Sequence, residues 1–173
     1  MKKNILYLII LLFFTFIFTI FYIGLDKPNF YTPKEIKNKS LEEFTSTELF
    51  SNEQFSSNNI IENNKFTLIN IWSSWCVPCR LEHSVLMDLS EKTDLNIVGL
   101  NYKDKKNNAI KFLNELGNPF SKILTDPDGI VSISLGAYGV PETFLLNNKS
   151  KIIRKYIGPL TKENILEIIK IIK

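Results

Sequence analysis

The apolar positions of this 173-residue chain change character along its length. From Ile5 to Ile23 they run almost without a break and without a charge. About 19 such residues, at ~1.5 Å each in a helix, reach close to the ~30 Å of a bilayer core. Between Asp26 and Ser40 apolar residues are few and Pro28 and Pro33 intervene, which predicts a tether. Between Leu41 and Lys65 the apolar residues are scattered among Ser, Asn and Glu, and the pattern predicts only a short strand or hairpin and a turn of helix.

From Phe66 onward the periods become regular. Phe66 to Trp72 is an apolar run suited to a buried strand, and Ser73 and Ser74 break it. Helical spacing then predicts a helix over 77–91, with Leu81, Val85, Leu86 and Leu89 on its apolar side. Leu95 to Tyr102 is a second apolar strand. Lys105 to Leu116 reads as a helix whose Ala109, Ile110, Phe112, Leu113 and Leu116 form a stripe, stopped by Gly117. A short strand at 122–125 leads into the turn Asp126-Pro127-Asp128-Gly129 and a helical turn at about 130–135. Strands at 142–146 and 151–157 are joined by Asn147-Asn148-Lys149-Ser150, a hairpin signal. Thr161 is placed to cap a last helix that turns Ile165, Leu166, Ile168, Ile169 and Ile172 to the core. The order βαβα, then a ββ hairpin and a helix, predicts an α/β domain with a mixed sheet flanked by helices over 41–173.

Lys2 and Lys3 precede the first apolar run and favour a cytoplasmic start, with the rest of the chain outside. The run is longer than a usual signal-peptide core. Its exit, Tyr22-Ile23-Gly24-Leu25-Asp26-Lys27, lacks a small-x-small cleavage site, so residues 1–25 are expected to be an uncleaved signal anchor. The net charge is +3, and two of those charges are Lys2 and Lys3. The remainder is near neutral with no basic stripe, so nucleic-acid binding is not indicated.

Both cysteines of the chain lie in Trp75-Cys76-Val77-Pro78-Cys79, where a strand ends and a helix begins. A Cys-x-x-Cys in that context reads as a redox motif, able to close to a disulfide and reopen with two electrons. A helix entrance carries unpaired N–H groups and partial positive charge, which stabilise a thiolate. Cys76 is therefore expected to attack and Cys79, one turn in, to resolve the mixed disulfide. Pro78 suits the first turn, where no N–H is needed. A structural bridge across so short a loop would remove little chain entropy. A zinc site lacks ligands, since only His83 is a further candidate of the usual soft type.

The segments N-I-W-S-S-W-C-V-P-C-R-L-E-H (70–83), G-L-N-Y-K-D (99–104), G-N-P-F (117–120) and L-G-A-Y-G-V-P-E-T-F-L (135–145) strongly resemble the CcmG/DsbE family. These are membrane-anchored, thioredoxin-like thiol–disulfide proteins of bacterial cytochrome c maturation. The resemblance covers roughly residues 66–160, and 41–65 only loosely. It implies a thioredoxin-like fold and a disulfide reductase on the periplasmic side of the inner membrane. Electrons would come from a membrane thiol–disulfide carrier. They would pass to the Cys-x-x-Cys-His haem-attachment site of apocytochrome c, or to another maturation component. No cofactor beyond the dithiol is implied. Cys76 is then the nucleophile, Cys79 the resolving thiol and Pro141 a cis-proline facing them, while Glu82 and Glu142 are the acids that mark the active-site region.

Read without the resemblance, Glu82 is a carboxyl one turn beyond Cys79 that can tune the thiols or carry the proton of Cys79. The plain alternative is a solvated side chain paired with Arg80 or a lysine. Asn70 stands six residues before Cys76, where many thioredoxins have a buried aspartate, so the proton role is expected to fall elsewhere or to water, with Glu82 the candidate. Trp75 reads equally as a partner surface or as packing. His83 reads as a surface or packing residue, Tyr138 and Phe144 as core or loop packing, and Lys103-Asp104 as a turn. Two rival functions remain: another anchored thioredoxin-like reductase or oxidase, and a copper-delivery module, for which the distant histidine is missing.

Overall fold

The computed structural model describes residues 2–25 and 40–173. The tether expected at 26–40 lies outside the described residues except for Ser40. The N-terminal part is a single helix, α1 (Lys2–Leu25), and Lys3–Ile23 is long and apolar enough to cross a membrane. Its hydroxyls bond back into the helix, Thr15 to the Leu12 carbonyl and Thr19 to that of Thr15. Neither hydroxyl therefore needs water.

The rest folds by itself as a seven-stranded mixed sheet in the order β2-β1-β5-β4-β3-β6-β7. The segment of scattered apolar residues supplies a hairpin, β1 (Thr45–Glu48) and β2 (Gln54–Ser56), and a short helix α2 (Ser57–Ile61). The strand β3 (Phe66–Trp72) leads into α3 (Val77–Lys92), then β4 (Asn96–Tyr102), α4 (Lys106–Leu116) and β5 (Lys122–Asp126). A short helix α5 (Ile130–Ser134), the strands β6 (Glu142–Asn147) and β7 (Ile152–Ile157), and α6 (Lys162–Ile172) complete the domain. β3, β4 and β5 are parallel, and β6 returns antiparallel beside β3. Each predicted element is present, with ends displaced by a residue or two.

Strand alternation divides the interior into two cores. One face packs Leu68, Trp72, Ile97, Ile123 and Leu145 under α3, α4 and α6, and includes both cysteines. The other packs Ile69, Ile71, Val98, Leu100 and Phe144 against Leu41, Ile60, Ile61 and Leu135. Right-handed crossovers from β3 to β4 and from β4 to β5 put α3 and α4 on the same face. Gly99 allows this packing, since a Cβ there would lie 2.8 Å from the Trp72 indole nitrogen and 3.0 Å from the Phe120 ring. Gly117 ends α4 at φ 90° and donates to the Leu113 carbonyl, as its place in the sequence predicts.

Two apolar residues expected inside face solvent, Leu81 on α3 and Leu166 on α6. On α3 the inward positions near the cysteines are taken by Glu82 and His83. On α6 the buried stripe runs through Ile165, Ile168, Ile169, Ile171 and Ile172, which leaves 166 outside. Ile168→Ala should therefore cost about 2–5 kcal/mol. Leu166→Lys should stay within ~0.5 kcal/mol of the parent, both measured by urea denaturation.

Candidate active site

β3 is buried along nearly its whole length and stops at the tight turn Ser73-Ser74-Trp75. That turn is held from the neighbouring β4–α4 connection. Ser73 Oγ donates to the Tyr102 carbonyl at 2.8 Å, and Trp75 Nε1 to the Lys103 carbonyl at 3.0 Å. Asp104 is the hub. Its carboxylate accepts from Ser74 N–H (2.6 Å), Ser74 Oγ (2.8 Å), Asn101 Nδ2 (3.1 Å) and Lys105 N–H (2.7 Å). Lys103, at φ 44°, makes the corner that aims Asp104 inward. Lys103-Asp104 is thus more than a turn: it anchors the end of β3 from which Cys76 is presented. Sequence reading missed this because a carboxylate accepting from backbone N–H groups across a sheet edge leaves no periodic signal.

Cys76 is the N-cap of α3, and its Sγ accepts the Cys79 N–H at 3.1 Å. Pro78 sits in the first turn, as expected. Cys76 and Cys79 are joined as a disulfide, with both sulfurs in the first core. The donor at Sγ is what a thiolate at Cys76 needs. Around the pair, Trp75, Val77 and Leu81 leave apolar side chains in solvent. The peptide Val140–Pro141 is cis, and Val140 packs against the core that contains the cysteines.

Glu82 points inward rather than toward Arg80 or a lysine. Its Oε1 accepts from Asn70 Nδ2 at 2.9 Å and its Oε2 from the Leu160 N–H at 2.7 Å. Asn70 also donates to Thr143 Oγ1 at 2.9 Å. α3, β3 and the entry to α6 thus meet on one carboxyl, and Asn70 links β6 to it. Burial raises its pKa from near 4.5 to about 7, and the hydrogen bonds from Leu160 and Asn70 offset only part of that. Arg80 pairs instead with Glu115 at 2.9 Å on the surface. His83 is buried; it meets the Gly117 carbonyl through Nε2 at 3.0 Å and lies edge-on to Phe112. Burial lowers its pKa, so the neutral imidazole is the donor in that bond. His83 is therefore a packing residue.

Glu142, the other acid, is on the opposite face of the sheet, the side of Phe144 rather than Thr143. Its Oε1 accepts from the N–H groups of Tyr138 (2.6 Å) and Gly139 (3.0 Å), and its Oε2 pairs with Lys155 at 2.8 Å. The two acids thus lie on opposite faces of the sheet, Glu82 on that of Asn70 and Glu142 beneath the loop that leads to Pro141.

A family model described as Redoxin matches residues 36–169. The chain belongs to the Redoxin family. A protein from Pasteurella multocida (strain Pm70) named as thiol:disulfide interchange protein DsbE-2 is 37% identical over 142 residues, 82% of this chain and 74% of that one. This places the chain among the DsbE thiol:disulfide interchange proteins. The thiol:disulfide interchange protein CycY of Rhizobium leguminosarum bv. viciae is 48% identical over 103 residues, 60% of this chain and 55% of the relative. The chain spans about half the length of the first curated relatives it matches. A crystal structure described as a DsbE from Chlorobium tepidum superposes with TM-score 0.67 at 21% identity, over 79% of this chain and 95% of that one. The fold is therefore thioredoxin-like, as the resemblance implied.

The raised pKa of Glu82 has a sign that denaturation can read. Between pH 4.5 and 7 the unfolded chain has released this proton while the folded chain still holds it. Stability contributed by this site therefore falls as pH rises through that window. Glu82→Gln should gain about 3 kcal/mol relative to the parent between pH 4 and pH 8 in denaturant titrations of the disulfide form. Asp104→Ala should cost about 1–3 kcal/mol in the same assay, since it removes the acceptor of the partly buried donors of Ser74 and Asn101.

Proposed function

We propose that this protein is a membrane-anchored thiol–disulfide oxidoreductase that reduces the Cys-x-x-Cys-His disulfide of apocytochrome c, or of a carrier protein in that maturation pathway. The observation that carries the reading is the redox pair at a helix entrance with a buried, proton-binding Glu82 on the same core. A dithiol that works as a reductant must release Cys79 as a thiolate during resolution. An acceptor with a pKa near neutral serves that step.

The steps balance as follows. The Cys76 thiolate attacks one sulfur of the target disulfide, and that bond breaks to release one target thiolate. Cys79 then loses its proton to the ionised form of Glu82, present near pH 7, and attacks the Cys76 sulfur; that proton returns to Cys79 when the pair is reduced again. The mixed disulfide breaks, a second target thiolate leaves, and Cys76–Cys79 closes. Two electrons pass to the target. A dithiol carried by a membrane protein restores the reduced pair and completes the cycle. The helix at Lys3–Ile23, with Lys2 and Lys3 ahead of it, supports an inner-membrane anchor with the redox domain on the periplasmic side. The exposed Trp75, Val77 and Leu81 support a peptide target rather than a small one.

Copper delivery gains nothing from the geometry: His83 is held against Gly117 by its Nε2. Deleting the gene should abolish haem-stained c-type cytochromes in the cell. The parent gene should restore them and Cys76→Ser should not. Normal haem attachment in the deletion strain would defeat the cytochrome assignment. With a purified target, Glu82→Gln should slow resolution of the mixed disulfide about 10²-fold at pH 7. Unchanged resolution kinetics would remove Glu82 from the proton path.

A further inference from the structure

Lys155 is a charged residue on a buried face of β7. It lies opposite Phe144 in register, so its stem enters the second core. Its side chain is 9% exposed and that of its partner Glu142 2%. The ammonium is fully engaged. It meets Glu142 Oε2 at 2.8 Å and the Gly136 carbonyl at 2.8 Å, and it lies 4.2 Å from the centroid of the Tyr138 ring. Glu142 in turn accepts the N–H groups of Tyr138 and Gly139. The segment 136–139 is therefore gripped through a carbonyl, two N–H groups and a ring. Just beyond it, the Pro141 carbonyl accepts from Gly158 N–H at 3.0 Å.

Packing alone does not call for this arrangement. Desolvating an ammonium and a carboxylate is expensive, and an apolar side chain of similar volume often stabilises a core as well or better. What the ion pair adds is directed bonding to one loop. That loop runs to Val140, which touches the core of the cysteines, and to Pro141.

We propose that Lys155, acting through Glu142, is a positioning residue that sets the backbone of 136–141 for an extended peptide carrying the target disulfide. The inference rests on the oxidoreductase reading but not on the identity of the peptide. The pair touches neither sulfur and acts on how a peptide is seated. Its loss should therefore weigh on peptide substrates more than on small disulfides, and on KM more than on kcat.

The test compares the reduced full chain in detergent with its Lys155→Met and Lys155→Arg variants. Each is given a ten-residue disulfide-bridged peptide and, separately, oxidised glutathione. For Lys155→Met the peptide rate at limiting concentration should fall about tenfold more than the glutathione rate, through KM. Lys155→Arg, which keeps the charge, should recover most of that loss. Parallel losses on both substrates, or no loss on the peptide, would overturn the proposal. Should Lys155→Met not fold, Tyr138→Leu removes the ring from over the ammonium at an exposed position. It should shift the same ratio in the same direction, and an unshifted ratio would overturn the proposal. An oxidised Cys-x-x-Cys-His peptide set against a scrambled one separates this from the cytochrome reading: equal rates for the two parent reactions would remove the cytochrome target and leave the ratio test intact.

Discussion

Keeping the Glu82 carboxyl out of water, met by an amide and one backbone N–H, is the constraint around which the redox end of the domain is built. Among the described residues no cation shares its hydrogen bonds. Desolvation therefore outweighs the donors and the neutral form persists to about pH 7. The same bonds tie the cysteine-bearing helix α3 to β3 through Asn70, to β6 through Thr143, and to the start of α6 through Leu160. A single side chain thus ties the cysteine-bearing helix to β3 and to the entry of α6. The amide at Asn70 fits this: an aspartate in that place would put two carboxyls within hydrogen-bond reach.

The two faces of the sheet divide the work. The face under α3, α4 and α6 holds the cysteines, and Glu82 beside Asn70. The other holds Glu142, met by an ammonium and two N–H groups, beneath the loop that leads to Pro141. Adjacent residues of β6, Glu142 and Thr143, serve opposite sides because strand side chains alternate. Asp104 completes the frame from the β4–α4 connection by gripping Ser74. The site is held from its flanks, and the sulfurs stay close to exposed apolar side chains at 75, 77 and 81.

Much of this was legible in the sequence where apolar periods are strong. The run 66–72, the stripe of α4 and the Gly117 stop all appear as read. So does the Cys-x-x-Cys at a strand–helix junction, because burial of apolar area and helix termination act locally. Leu81 was misplaced because apolar spacing counts only apolar residues, while on α3 the inward places beside the cysteines belong to Glu82 and His83; Leu166 was misplaced because α6 carries more apolar positions than one face can bury. A buried polar group is chosen by partners distant in sequence, such as Leu160 for Glu82 or Gly117 for His83, and no local period carries that information. Lys155 shows the same limit. It reads as an ordinary charge in a strand until the register with Phe144 turns it inward.

The account stands most directly on the protonation state of Glu82. A titration of its side-chain carboxyl carbon by NMR in the disulfide form, assigned through Glu82→Gln, measures it without reference to any substrate. The predicted midpoint is about pH 7. A midpoint near the ordinary value of 4.5 would mean that the carboxylate is too weak a base to take the proton of Cys79 at neutral pH.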